Sequence, residues 1–123
     1  MNYLDQFNDT FVELVQDLIR AFPSDGDFRM YKLAIQGASF ADKSLVQGVF
    51  HERVSTVYGD KIMARDEAFF IDNDYADMKQ EFSQAEKLIQ KLKDCWTKLT
   101  AEQKDVVWKY MRILVLLDRK ITS

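Results

Sequence analysis

The fold is decided by the stretch Val106-Val107-Trp108-Lys109-Tyr110-Met111-Arg112-Ile113-Leu114-Val115-Leu116-Leu117. As a helix, this stretch is apolar around most of its circumference, and such a helix has to be covered. In a chain of 123 residues it is either the central helix of a bundle or a helix that leaves one side free for another chain. Leu116 shares the polar side with Asp105, Lys109 and Arg112, so we expect it to face solvent in an isolated monomer.

The N-terminal half predicts three helices, because its apolar residues recur every three or four positions. The first carries its apolar stripe from Leu4 to Phe22 and ends at Pro23, since a residue before proline disfavours helical backbone. Asp27 is expected to cap a second, short helix that frays near Gly37.

A third helix is predicted to begin with Ser39 or Asp42 as its cap and to end at Tyr58-Gly59-Asp60. Residues 61–73 follow a less regular pattern, which fits a short helix or an irregular linker. A long helix is then predicted from Asp72 to Leu99, with acidic residues near its start and lysines near its end.

The last helix is predicted from Thr100 to Ile121. Its start fits a capping box, in which Thr100 and Gln103 each bond to the backbone amide of the other. Two long helices joined at this point should pack antiparallel, which would place Trp96 against Val107 or Tyr110.

The whole pattern predicts an all-α fold. Strands would require period-two alternation and hairpin turn signals, and the sequence has neither. We expect one domain, residues 1–123, formed by a bundle of about five helices with a long C-terminal antiparallel helical hairpin.

Composition excludes several classes of function. The chain has 17 basic and 20 acidic residues, a formal charge of −3, so no nucleic-acid partner is expected. Its longest apolar run, Ile113 to Leu117, is far shorter than the roughly 20 residues of a membrane span. A single cysteine and an N-terminus without a secretion signal favour a reducing compartment.

Candidate chemistry is sparse. His51 is the only histidine; a helix-surface role is favoured over zinc ligation, which needs further donors, or a nucleophile pair with Cys95, which needs an orienting third group. Cys95 adjoins the apolar stripe of the long helix and is favoured as a half-buried core thiol. We therefore expect no catalytic residue, no cofactor and no metal site, and a protein that is not an enzyme.

Negative charge is concentrated between Asp66 and Asp77. The segment Asp72-Asn73-Asp74-Tyr75-Ala76-Asp77 resembles the start of a calcium loop, but Asp77 stands where the sharp turn needs glycine, so helix capping is favoured. This region could meet a basic partner, although a solvated acidic face is the more common outcome. An enzyme that uses this cluster with a metal is the least favoured alternative.

The aromatic content favours a protein interface. Nine Phe, five Tyr and two Trp are more than a small bundle has to bury, and exposed aromatic and methionine side chains are where small bundles bind. The predicted interface consists of Phe69, Phe70, Trp108, Met111, Val115 and Leu116.

Four spaced elements carry a resemblance to known proteins. They are Leu14-x-x-Asp17-Leu18-x-x-x-Phe22-Pro23, Phe50-His51-Glu52-x-Val54, Asp66-Glu67-x-Phe69-Phe70 and Trp108-Lys109-Tyr110-x-x-x-Leu114. Over most of its length the chain resembles short helical proteins of large double-stranded DNA viruses that infect algae and protists. The resemblance implies a viral protein that acts in the host cytoplasm or is packaged in the virion, and it brings no catalytic motif to any position.

These observations predict a non-enzymatic, small viral interaction protein or virion-associated structural protein. It would act through apolar helix surfaces, as a homo-oligomer or as a component of a larger assembly. The alternative is a regulatory adaptor that binds an amphipathic partner helix in a groove between its own helices. A groove lined by Met63, Met78 and Met111 would support the adaptor.

Overall fold

The computed structural model describes residues 2–68 and 84–122, with side chains at 2–68 and 90–122. Within these residues every regular element is helical and none is a strand, which confirms the all-α fold. The α-helices are α1 (Tyr3–Ala21), α2 (Gly26–Ala41), α3 (Leu45–Phe50), α4 (Thr56–Met63), α5 (Gln84–Cys95) and α6 (Ala101–Thr122). A π-helical turn (His51–Ser55) joins α3 to α4, and a 3-10 turn (Trp96–Lys98) follows α5.

The first helix ends where the sequence predicts. The amide of Phe22 donates to the carbonyl oxygen of Leu18 at 2.9 Å, and Pro23 follows. The cap of α2 differs from the prediction: Asp25, not Asp27, has the extended backbone of an N-cap, and its side chain accepts from the Asp27 amide at 3.0 Å. Asp27 is already the second residue of the helix.

The second helix is longer than predicted, and the expected fraying at Gly37 is wrong. Ile35 is buried and Ala38 packs against the core, so the helix is anchored on both sides of the glycine. The amide of Asp42 still bonds to the Ala38 carbonyl oxygen at 2.9 Å. This packing outweighs the roughly 1 kcal/mol that glycine costs inside a helix.

The third predicted helix is interrupted and extended. Neither predicted cap is the N-cap of α3, which is Ser44. Ser39 lies inside α2, and Asp42 is the C-cap of α2, with a side chain that accepts from the amide and hydroxyl of Ser44. The helical path does not end at Tyr58-Gly59-Asp60 and continues to Met63. At this point Gly59 is buried and faces Arg119 and Val115 of α6, where a Cβ would make only ordinary contacts. The helical path therefore follows the packing of α4 on α6 and not the local turn signal.

The core lies between α1, α6 and the other N-terminal helices. Phe7, Phe11 and Phe50 pack edge to face, with ring centroids 5.3 to 6.1 Å apart. Helix α6 packs most extensively along α1, and the described part of α5 packs mainly on α2. Buried residues from all of these helices form one hydrophobic cluster.

The turn into α6 has the predicted capping box. The Thr100 amide donates to Gln103 Oε1 at 2.9 Å, and the Gln103 amide donates to Thr100 Oγ1 at 3.1 Å. Trp96 is buried and makes its edge-to-face ring contact, at 5.6 Å, with Trp108, the neighbour of the predicted partner Val107. Part of the first arm of the predicted hairpin lies outside the described residues.

Candidate interaction surface

Three of the six predicted interface residues are not on the surface. Trp108, Met111 and Val115 are buried, because the wide apolar face of α6 is covered by α1 and by Trp96. As surface contacts for a partner, these three predictions are wrong. Met111 is also one of the three methionines whose groove would have supported the adaptor hypothesis, and its burial removes it from the surface.

Of the other three predicted interface residues, the structure describes one, Leu116. Leu116 is 45% exposed, which confirms the expectation that it faces solvent. Phe69 and Phe70 lie outside the described residues, as do Met78 and the segment Asp72 to Asp77. A binding role for Leu116 stays a prediction.

Among the described residues, the most exposed large apolar side chains lie on α2. Met30 is 66% exposed, Leu33 68% and Phe40 96%, and Gly37 lies between them with open space where a Cβ would be. Spacings of three, four and three residues place these four on one face of a helix, opposite the buried Phe28 and Ile35. We call Met30, Leu33, Gly37 and Phe40 the α2 stripe.

The other exposed large apolar residues are separated from one another. Leu45, Val57 and Leu116 lie on α3, α4 and α6, and isolated surface residues of this kind are normal. The α2 stripe was missed because α2 was expected to fray at Gly37. The sequence did contain a signal for the stripe: Met30 and Gly37 are seven residues apart, as are Leu33 and Phe40.

A groove of about 510 Å³ runs beside the stripe, between α1 and α2. Phe40 lines the groove and also ends the stripe, so the two form one continuous surface. We call it the acidic groove, since its α1 side carries three carboxylates. Its lining residues are Asp5, Asn8, Asp9, Val12, Glu13, Gln36, Ser39, Phe40 and Lys43.

The groove contains buried polar atoms without partners. Asn8 is 7% exposed, and its Nδ2 donates to the Lys43 carbonyl oxygen at 2.9 Å. Asn8 Oδ1 and Ser39 Oγ have no hydrogen-bond partner among the described residues. Lys43 Nζ lies 3.3 Å from Asp5, whereas Asp9 and Glu13 form no ion pair within the described part of the chain.

A second polar cluster joins α3, the π-helical turn and α6. Asp118 of α6 is 1% exposed; its Oδ1 accepts from Gln47 Nε2 at 2.7 Å, and its Oδ2 lies 2.9 Å from His51 Nδ1. His51 lies on the π-helical turn with a partly buried ring. The sequence favoured a helix-surface histidine; the side chain is 36% exposed, and its ring also lies against Asp118. Asp118 was not singled out because it lies 67 residues from His51 along the chain.

This cluster holds α3 and the π-helical turn against α6. Cys95, the partner considered for His51, is buried on α5, and its Sγ donates to the Lys91 carbonyl oxygen at 2.9 Å. Burial raises the pKa of the Cys95 thiol, which disfavours the nucleophilic thiolate. No group of three or more His, Cys, Asp or Glu residues within the described ranges could hold a metal ion.

An ion-pair clamp fixes the start of α2. Lys91 Nζ lies 2.8 Å from an oxygen of Asp25 and 3.0 Å from one of Asp27. Its hydrogen bond lowers the pKa of Asp25, and the two carboxylates raise the pKa of Lys91. The clamp ties α2 to α5 and so helps to fix the orientation of the stripe.

No protein-family model matches this chain, and neither does any curated protein or solved structure. The viral resemblance therefore stays a prediction. Among residues 2–68 and 84–122, no helix combines the length and the apolarity needed to cross a membrane.

Proposed function

We propose that this protein is a non-enzymatic interaction module that binds an amphipathic helix of a partner protein across the α2 stripe. The observation that carries the proposal is the alignment of Met30, Leu33 and Phe40, all more than 60% exposed, on one face of a helix whose other face is buried. From Met30 to Phe40, ten residue steps along the helix, this stripe extends about 15 Å, or nearly three helical turns.

The geometry suits a helix as the occupant. Anchors at intervals of three and four residues match the spacing with which amphipathic helices meet. Gly37 leaves open space at the middle of the stripe, where a side chain of the incoming helix can approach the α2 backbone. The stripe is also preformed, because packing of the opposite face and the Lys91 clamp fix α2 before any partner arrives.

Apolar burial alone supports only weak binding. Each fully buried Leu, Met or Phe side chain contributes about 1.5–3 kcal/mol, and association costs an estimated 4–15 kcal/mol before any gain appears. The stripe therefore needs neighbouring contacts, and the acidic groove beside Phe40 can supply them.

This proposal keeps the kind of function that the sequence predicts and moves its location to α2. A viral origin and a place in the host cytoplasm or the virion remain part of the proposal only through the resemblance. The proposed surface also retains the adaptor hypothesis, with its groove between α1 and α2.

The proposal is tested by selecting binders to the wild-type chain from a display library of amphipathic helices. We expect the selected helices to lose at least tenfold in affinity for Phe40→Ser and for Leu33→Ser, which remove anchors from the stripe. The matched control is Val57→Ser on α4, since Val57 is similarly exposed at 59%. Selected helices that bind Phe40→Ser and Leu33→Ser as tightly as the wild type would overturn the proposal.

Self-association through Leu116 is a separate prediction from the sequence. If it operates, the molar mass from light scattering coupled to size exclusion exceeds that of one chain in the wild type and falls to one chain in Leu116→Glu. An oligomer that persists in Leu116→Glu would contradict this site.

A further inference from the structure

We infer that the partner helix is basic, and that one of its arginine or lysine side chains enters the acidic groove beside the α2 stripe. This inference rests on the proposed function and specifies the chemistry of the partner. It follows from the carboxylates that line the groove and from the unpartnered polar atoms of Asn8 and Ser39, which line it too.

The carboxylates form one negative edge. Asp5, Asp9 and Glu13 lie four residues apart on α1 and therefore share one face of that helix. Among the described residues, Asp5 has an ion-pair partner, the Lys43 ammonium, and Asp9 and Glu13 have none. Two carboxylates are thus left to pair with charges from outside the described part of the chain, in a groove that the exposed ring of Phe40 also lines.

The polar atoms of the groove lack a donor. The amide nitrogen of Asn8 already bonds to the Lys43 carbonyl oxygen, so the orientation of this amide is set and Oδ1 is the atom that needs a donor. A buried acceptor without a partner costs about 1–3 kcal/mol. A bound N–H group would remove that cost.

A long basic side chain meets both requirements. Asn8 and Ser39 line the groove, while the atoms Asn8 Oδ1 and Ser39 Oγ are closed to solvent. A bound side chain therefore reaches them only if side chains of the groove shift, and a long arginine or lysine stem lying along the groove is the group that would do so. The stem would lie against Val12 and Phe40, and the charged head would meet Asp9 and Glu13. Arginine also offers five N–H donors, enough to bond Asn8 and a carboxylate together.

Three helical peptides with one shared apolar face and arginine, glutamine or glutamate on the polar face would serve as probes. Each is titrated into the isotope-labelled chain, and binding is followed by NMR. We expect the arginine peptide to bind about three- to tenfold more tightly than the glutamine peptide at low salt, and the glutamate peptide to bind least. The side-chain amide resonances of Asn8 should shift most with the arginine peptide.

Charge-removing variants locate the effect. In the double variant Asp9→Asn with Glu13→Gln, we expect the preference for arginine over glutamine to fall to the part that Asn8 supplies, with the affinity of the glutamine peptide unchanged. The control, Glu52→Gln with Glu102→Gln, removes two exposed carboxylates elsewhere and should keep most of the arginine preference. High salt should reduce that preference in the wild type, because salt screens exposed charges.

The outcomes separate the two proposals. If the peptides bind equally and still depend on Phe40, the inference fails and the proposed function stands. If none of them perturbs α2 at millimolar concentration, the proposed function fails. If free hexylguanidinium binds the groove as tightly as the arginine peptide does, the groove is a site for small cations and the inference is overturned.

Discussion

The two polar regions of this molecule differ in how completely their buried atoms are bonded. Both oxygens of Asp118 have partners, Gln47 and His51. In the acidic groove, Asn8 bonds through its nitrogen only, and Oδ1 and the nearby Ser39 Oγ have no partner within the described residues. A buried polar group that is fully bonded stabilises the fold, whereas one that is left unbonded is a place where a ligand can contribute.

The fully bonded Asp118 cluster has a structural role, so its disruption gives the largest predicted effect on stability. Replacing Asp118 with Ala leaves the buried amide of Gln47 and the ring of His51 without their acceptor, so we expect the free energy of unfolding to fall by about 2–4 kcal/mol. Urea denaturation of both chains measures the difference. A loss below about 0.5 kcal/mol would show that the cluster does not hold α3 to α6.

A milder variant separates charge from hydrogen bonding at this site. Asp118→Asn keeps the side-chain shape and one acceptor, so it should cost less than Asp118→Ala. An equal cost in the two variants would mean that the negative charge, and not the shape of the bonded group, is what the cluster requires.

The Lys91 clamp is a second polar site whose groups are bonded to one another. Removing it is expected to reduce stability by less than Asp118→Ala does. Lys91→Met removes the ammonium between Asp25 and Asp27, and we expect the unfolding free energy at pH 7 to fall by about 1 kcal/mol, because these groups are only partly buried. Since the pKa of Asp25 is lowered from its ordinary value of 3.8, this stabilisation is present above that value and is lost as the pH falls below it.

The pH dependence is the check on the clamp. Unfolding free energies of the wild type and of Lys91→Met are compared at pH 7 and again near pH 3, at the same ionic strength. The difference between the two chains should shrink at the lower pH. A difference that grows on acidification would contradict the role of Asp25 as the partner of Lys91.

Local features of this fold could be predicted from the sequence, and contacts between distant residues could not. The end of α1 at Pro23 and the Thr100–Gln103 capping box each depend on residues within one helical turn, so both were predictable. The passage of α2 through Gly37 depends on tertiary packing of Ile35 and Ala38, which overrides the local cost of glycine.

The sequence predicted the kind of candidate site, a protein interface, but not its position in the structure. Counting aromatic residues indicated an interface, yet Trp108 is buried because α1 and Trp96 cover α6, which no periodicity within α6 reveals. Phe40 was passed over because its exposure depends on α2 remaining helical beyond Gly37. The partners of Asp118 lie 67 and 71 residues away, beyond any local pattern.

The α2 stripe predicts opposite effects of one substitution on folding and on binding. A Cβ at Gly37 meets nothing within 4 Å, so Gly37→Ala should stabilise the free chain by about 0.5–1 kcal/mol through helix propensity. The same methyl group fills the space where an incoming helix would approach, so affinity for the selected helices should fall. Stabilisation with unchanged affinity would place the contact elsewhere on the surface.

The smallest predicted effect on stability is at Asn8, and it tests directly whether the acidic groove and the Asp118 cluster differ in their role. Asn8→Ala removes the bond to the Lys43 carbonyl oxygen but also removes a buried acceptor that has no partner. The two contributions have opposite signs and similar size, about 1 kcal/mol each. We therefore expect the unfolding free energy in urea to change by no more than about 0.5 kcal/mol, far less than for Asp118→Ala, while the arginine preference of the groove decreases. If Asn8→Ala destabilises the chain as strongly as Asp118→Ala, Asn8 is part of the structural framework and the distinction between the two regions does not hold.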